Sequence, residues 1–406
     1  MRATKGFGRN GRGSAMLGPL LLAALLAAPL AARAADIALS ANDNHTTVEN
    51  GKPVGMQQPT PDNVSVIDLS QPTPRVLATI DVAFSDIGPP TAITFSPDGS
   101  FALVTASTRP DASAPDRVAL DDRISVIDLA AMPPRVVQVT HAGAGATTVR
   151  ITPDGKLALV ADRMAGAISV FTIANGRLAD AGKVDLGNPK ALPAGLGIFD
   201  HGRKALVSRA GDNIVNVLDI DGTHVTVEPR QITTGVAPDT LDVNADGTLA
   251  AVTNVGRGQG DVDTVSLIDL RADPPRTIDT AAVPSGPEGV AFSPDGRLLA
   301  VNSINGALWP PGSPFYHPNG MLTLFAIEPP PPGAPTTAGR ILHAIAEAPV
   351  GRASQGIAFS RNGHEILVQN LLDRDISVLG WDGTRLSERG KLPMPGGPAA
   401  IATPWP

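Results

Sequence analysis

The stretch AITFSPDGSFALVTAS, residues 92–107, alternates apolar and polar residues, halts at Ser-Pro-Asp-Gly and then alternates again. This is the pattern of a β-hairpin whose turn needs a residue of positive φ, a place filled by Gly99. The phrase returns as VRITPDGKLALVADR (149–163), LGIFDHGRKALVSRA (196–210), LDVNADGTLAAVTN (241–254), VAFSPDGRLLAVNS (290–303) and IAFSRNGHEILVQN (357–370). Gly155, Gly202, Gly247, Gly296 and Gly363 occupy the same turn position.

Working outward, a third strand of the form ISVIDL follows each hairpin: Val64–Leu69, Ile124–Leu129, Ala167–Ile173, Asn213–Ile220, Val265–Leu270, Met321–Ile327 and Asp375–Gly380. A more variable fourth strand comes next, as in RVLATIDV (75–82), RVVQVT (135–140) and RTIDTAAV (276–283). Seven units of four antiparallel strands, about 53 residues each, define an all-β, seven-bladed β-propeller. The ends of the chain complete one another. DIALSANDN (36–44) reads as a second strand lacking its first, and GGPAAIATP (396–404) as a first strand lacking its second. A ring closed by N- and C-terminal strands sharing one blade leaves no open edge, whereas a linear solenoid would expose both ends.

AVTN (251–254), PEGVAFSPDG (287–296) and VSVIDL (64–69) resemble the hallmark phrases of the YVTN-type seven-bladed propellers, a WD40/YVTN repeat-like family, over essentially all of residues 36–404. The resemblance extends to bacterial surface-layer propellers, to lactonase-like enzymes and, more distantly, to the large chains of quinoprotein amine dehydrogenases. It implies the fold strongly and leaves the function open among these.

Residues 1–34 begin with Arg2, Lys5, Arg9 and Arg12, continue through MLGPLLLAALLAAPLAA (16–32) and end at a small-residue site, Ala32-Arg33-Ala34. They read as a cleaved secretory signal peptide, leaving residues 35–406 as a single propeller domain, periplasmic or extracellular, with no membrane anchor. The chain has no cysteine, so disulfides, thiolate metal sites and a cysteine nucleophile are excluded. The leader carries five basic residues and no acid, so the chain after it has a formal net charge of −12, against −7 for the whole. Nucleic acid is an unsuitable partner for such a surface.

In a propeller blade the second-to-third loops and the blade-to-blade connections share one face. On that face the loops 43–62, 107–123, 255–263 and 304–320 are long, which marks it as the expected face for a protein partner or small ligand. The third-to-fourth insertion EPPPPGAPTTAG (328–339) reads as a stiff spacer. The loop INGALWPPGSPFYHPNG (304–320) gathers Trp309, Phe315, Tyr316 and His317, a cluster that could stack on a ligand or pack its own loop onto the rim. NVGRGQGDVDTVSLIDL (254–270) displays Arg257 on a glycine-rich loop that leads into a strand. A phosphate cradle would lead into a helix, so this reads as a loop only.

Inner strands and their entry loops carry His141, Arg150, Asp242, Glu288, Arg352 and Gln355, expected near the channel mouth, while Asp162, Arg163, Arg209, Asn254 and Asn370 end second strands. His141, Arg150, Glu288 and Arg352 are the candidate catalytic set if the protein is an enzyme, since Arg can hold an anion and His or Glu can move a proton. The other residues named here are candidate ligand contacts, and mutual pairing of the charges is the competing explanation. No nucleophile elbow, H-E-x-x-H or Walker string occurs, no cofactor is expected, and calcium held by Asp, Asn and Glu at the channel has no diagnostic string. The expectation is therefore a monomeric, non-enzymatic ligand- or protein-binding scaffold. The alternatives are a lactonase-like hydrolase or isomerase acting on a small lactone or sugar acid, and an accessory propeller of a quinoprotein or dehydrogenase system.

Overall fold

A computed structural model of the chain describes residues 36–49, 51–71, 73–258, 260, 262–330, 332–333 and 339–404. The expected signal peptide and the centre of the proline-rich insertion lie outside them. Seven four-stranded antiparallel sheets form the ring. Six are built in chain order from their inner strands: Ile93–Phe95 (blade 2), Ala146–Ile151 (blade 3), Pro193–Phe199 (blade 4), Pro238–Val243 (blade 5), Pro287–Phe292 (blade 6) and Ser354–Phe359 (blade 7). Blade 1 takes its inner strand, Gly397–Ala402, from the C-terminus and its second, Ile37–Asp43, from the N-terminus, paired from Leu39 with Ala402 to Asp43 with Gly397.

The six turn glycines all adopt φ between +66° and +88°. Beside five of them a polar side chain locks the turn. Asp98 accepts the Ser100 amide at 3.0 Å, and Asp154, Asp246, Asp295 and Asn362 repeat that bond in their own blades. An apolar cluster fills each of the seven blade-to-blade interfaces. Between blades 3 and 4, for example, Leu159, Ala161 and Val170 meet Leu196, Ala205 and Val207. Each fully buried Val or Leu contributes about 1.5–3 kcal/mol, so the ring is held by repeated small increments without a single central core.

Two of the long loops are structured. Thr46–Glu49 pairs with Lys52–Gly55, and Thr108–Pro110 with Val118–Leu120, as small hairpins standing on the face that carries the insertions, here called the upper face. Arg117 joins the two hairpins by donating to the Gly55 carbonyl and pairing with Glu49 at 2.9 Å.

Candidate functional site

The ends of the second strands have a common task, and it is structural. Where the chain passes from one blade to the next, a backbone amide must be satisfied next to the neighbouring strand end. The Asn254 side chain accepts the Gly235 amide at 3.0 Å, Asn370 accepts that of Gly351 at 2.8 Å, and Asp43 accepts that of Asp86 at 2.9 Å. At Gly235 and Gly351 a Cβ would come within 2.7 and 2.4 Å of the clamping side chain, so only glycine fits. Asn254 and Asn370 also donate to Thr264 and Ser266, and to Asp375 and Ser377. Asp162 is fully buried, accepts from Ser169 at 2.7 Å and is pushed up to about 6 by burial. Arg209 is buried against Asn216 at 2.8 Å and Asp212. Asp162, Asn254 and Asn370, read from sequence as ligand contacts, are therefore interior clamps, Arg209, read the same way, is buried in polar contacts within its own blade, and all four border neither of the channel cavities described below.

The residues that do reach the channel come from two positions of the inner strands. At the second position, blades 5, 6 and 7 carry Asp239, Glu288 and Gln355, which line a cavity of about 270 Å³ at the upper mouth. Asp86, from the connection between blades 1 and 2, and Arg163 join them there, with walls of Val255, Ile304, Leu308 and Leu371. At the fifth position Arg150, Gly197, Asp242, Ala291 and Ala358 line a separate cavity of about 370 Å³ toward the hairpin-turn face. Strict alternation would send the second and fifth residues to opposite sides. A register irregularity between these positions in blades 3, 4, 5, 6 and 7 lets both face the channel.

The upper mouth has more carboxyl groups than cations. Arg163 Nη1 lies 3.1 Å from Asp239 Oδ1, a pair whose side chains are 23% and 6% exposed. Glu288 makes no hydrogen bond or ion pair with the described residues. Burial, then the Asp239 charge, push its carboxyl up to about 8 against the pull of Arg163, with Asp86 adding to the rise. Asp86 accepts a hydrogen bond from Thr46 at 2.6 Å, and burial together with Asp43 drives it to about 8 as well. Gln355 is 7% exposed and its Oε1 has no hydrogen-bond partner. Asp86 and Asp239 were missed in the sequence. Asp239 follows Pro238 as Glu288 follows Pro287, and that Pro-acid match between blades was the available signal.

The remaining candidates fall elsewhere. Arg150 donates to the Val149 and Thr91 carbonyls at 3.1 and 3.4 Å. Burial lowers its pKa, and Asp242, which accepts the Phe292 amide at 2.9 Å, opposes that. His141 ends the outermost strand of blade 2, 64% exposed and 2.7 Å from Asp122, and Arg352 points outward to Asp373 at 2.7 Å. The four candidate catalytic residues thus divide among the upper cavity (Glu288), the lower cavity (Arg150) and the rim (His141, Arg352), and do not assemble into one site. Trp309 and Phe315 pack against each other with centroids 5.9 Å apart and planes tilted by 51°, and Phe315 covers Gly260 of the glycine-rich loop, where a Cβ would meet the ring at 2.5 Å. Half-buried Tyr316 and exposed His317 and Arg257 border neither cavity; the loop reaches the mouth through Ile304 and Leu308 instead.

A second cluster, Asp43, His45 and Asp62, brings its side-chain donor atoms within 4.8 Å of one another. Most of its donor atoms are already engaged. Asp43 Oδ1 accepts the His45 and Thr46 amides, Asp62 Oδ1 accepts the Asn44 amide and faces His45 Nδ1 at 2.9 Å, and His45 Nε2 meets Thr108 Oγ1 at 3.2 Å. Burial works to lower the His45 pKa, but Asp62, Asp43 and Asp86 offset it and leave the imidazole above its ordinary value. An Asp-His-Thr chain of this kind resembles a nucleophile triad in order, yet His45 and Thr108 are 1% and 5% exposed, out of reach of a substrate. It is the buried clamp that seats both hairpins and, through Thr46 and Asp43, Asp86.

No family model matches the sequence, and a search of curated proteins finds no match. Solved structures do match over nearly the whole chain. A protein of unknown function from Desulfotomaculum acetoxidans aligns with a TM-score of 0.64 at 15% identity, covering 90% of this chain and 98% of that one. The periplasmic gluconolactonase of Pseudomonas aeruginosa aligns with a TM-score of 0.64 at 16% identity, covering 90% and 98%. Hydrazine synthase of Kuenenia stuttgartiensis aligns with a TM-score of 0.58 at 19% identity, covering 79% and 90%. At these identities the similarity is one of fold, the seven-bladed propeller, and the diversity of the neighbours leaves function to the site.

Proposed function

We propose that the protein is an exported, periplasmic propeller that binds a small ligand in the upper mouth of its channel, as a binding protein without turnover. The observation that carries this reading is Glu288, a carboxyl without a partner among the described residues, facing a cavity beneath the long loops beside the Arg163–Asp239 pair. The dispersal of Arg150, His141 and Arg352 supports binding over catalysis. Thermal-shift screening against amines, sugar acids, lactones and divalent cations tests it. A ligand whose stabilisation disappears in Glu288→Ala is the expected result. Stabilisation that survives both Glu288→Ala and Gln355→Ala would place the ligand elsewhere and overturn the reading.

One feature favours a second reading, lactonase-like hydrolysis. Glu288, pushed up to about 8, holds its proton at neutral pH and could donate it to a leaving oxygen. Enzyme-like turnover of glucono-1,5-lactone that falls at least about 100-fold in Glu288→Gln would establish it, since general acid catalysis contributes about 10²–10⁴-fold.

A further inference from the structure

Resting on the binding role of the upper mouth, we propose that its ligand is a primary ammonium compound with a short aliphatic tail. Three acidic side chains, Asp86, Asp239 and Glu288, border the cavity with one cation, Arg163, whose Nη1 is paired with Asp239. The surplus is thus of acceptors. Glu288 makes no hydrogen bond or ion pair with the described residues, and Gln355, at the same position of the adjacent blade, is 7% exposed with an Oε1 that accepts from no donor among them. An –NH₃⁺ group carries three donors and no acceptor, which suits two neighbouring free acceptors and a third carboxyl beyond them. Apolar walls from Val255, Ile304, Leu308 and Leu371 give an alkyl chain a place to leave water. A metal ion fits less well. Among the described residues only the hydrogen-bonded Asp43, His45 and Asp62 group draws three donor atoms of His, Asp or Glu within 4.8 Å of one another, so the mouth carboxyls are spaced for a larger cation.

Binding is coupled to proton release. At neutral pH the Glu288 carboxyl is protonated, and an arriving ammonium replaces that proton, which passes to solvent. The groups facing Glu288 are Asp239, Arg163 and Asp86, and Asp86 in turn faces Asp43 and His45. Affinity for the cation therefore rises with pH until Glu288 is ionised without it.

Titration calorimetry of the mature chain with n-butylammonium chloride, from pH 6 to 9, tests this. The expected result is an affinity that rises up to about tenfold per pH unit below pH 8 and levels off above it, with proton release visible as a buffer-dependent heat. Glu288→Gln should weaken binding at pH 8 by at least about tenfold and make the pH profile shallower, leaving only the slope that Asp86 contributes, and Gln355→Ala should weaken it with the profile kept. Tetramethylammonium, which lacks N–H donors, and n-butanol, which lacks charge, should bind at least about tenfold more weakly. Equal binding of tetramethylammonium, a flat wild-type profile, or calcium binding tighter than butylammonium and lost in Glu288→Gln would each overturn the ammonium assignment. A sugar acid or lactone bound in its place, in a Glu288-dependent way, would overturn the assignment while leaving the mouth as the binding site. Absence of any Glu288-dependent ligand would overturn both.

Discussion

The two ends of the central channel are built from the same inner strands, three residues apart. At the upper end blades 5 to 7 present Asp239, Glu288 and Gln355; at the lower end the same blades present Asp242, Ala291 and Ala358. The lower cavity holds one cation, Arg150, balanced across the channel by Asp242, and its hairpin turns are tight and repetitive. The upper mouth has uncompensated carboxyl groups and is roofed by insertions anchored through a buried polar network. The repeat keeps what packs the blades and concentrates its variation at the upper end, the proline-rich 328–339 insertion of blade 6 being the exception. A ring of interchangeable blades thereby holds one distinctive site.

If the upper end is a site held in place by its network, the largest effect belongs to the clamp. Asp43→Ala removes the acceptor for the His45, Thr46 and Asp86 amides and leaves a buried imidazole beside one carboxylate instead of two. Destabilisation of about 3–5 kcal/mol is expected by urea unfolding, and a loss below about 1 kcal/mol would show that the clamp is not needed. The next effect has the opposite sign. Glu288 keeps its proton to about pH 8 in the native protein but loses it near pH 4.3 when unfolded. Over that window the native state binds the extra proton, so this group makes stability fall as pH rises, with no effect below pH 4 and a constant penalty above 8. Glu288→Gln should therefore match wild type at pH 4 and exceed it by about 1–3 kcal/mol at pH 8. A gap that is equal at both pH values would contradict the protonated carboxyl.

The contrast between the ends also explains how far the sequence could be read. The hairpin phrase and its turn glycines carry the fold because a two-residue period and a positive-φ turn are local properties, and the blade shared by residues 36–44 and 396–404 followed from counting strands. The channel was only partly legible. Glu288, Gln355 and Arg163 do meet at the upper mouth, but Asp239 was missed, because a bulge in the inner strands of blades 5 to 7 breaks the alternation that would tell channel-facing residues from buried ones, and Asp86 was missed because it sits in a blade-to-blade connection with no periodicity to read. Asn254 and Asn370 were misassigned for a different reason. An amide side chain at a strand end looks alike in sequence whether it awaits a ligand or already holds the Gly235 or Gly351 amide across the blade boundary. His45 joins its partners Asp62 and Thr108 over 17 and 63 residues, a span that no local pattern reports.

At the lower end, Arg150→Met is expected to change stability by no more than about 1.5 kcal/mol. The guanidinium's partners within hydrogen-bond reach are two carbonyls, and methionine fills similar space without the desolvation that already lowers the arginine pKa. It should leave upper-mouth binding unchanged, and a loss of binding would show that the cavities act as one. The smallest effect belongs to the rim. Arg352 is 52% exposed and its pair with Asp373 is open to solvent, so Arg352→Ala should cost about 0–1 kcal/mol and less still in 0.5 M salt, where exposed pairs are screened. Because the Arg352 amide also bonds Asp373 at 2.8 Å and survives the substitution, the connection into blade 7 keeps its shape and Gln355 keeps its place in the mouth. Binding in Arg352→Ala should accordingly stay within about twofold of wild type by calorimetry, a difference of about 0.4 kcal/mol. A larger loss would extend the site from the mouth to the rim and erase the distinction between the side chains that face the cavity and those that merely surround it.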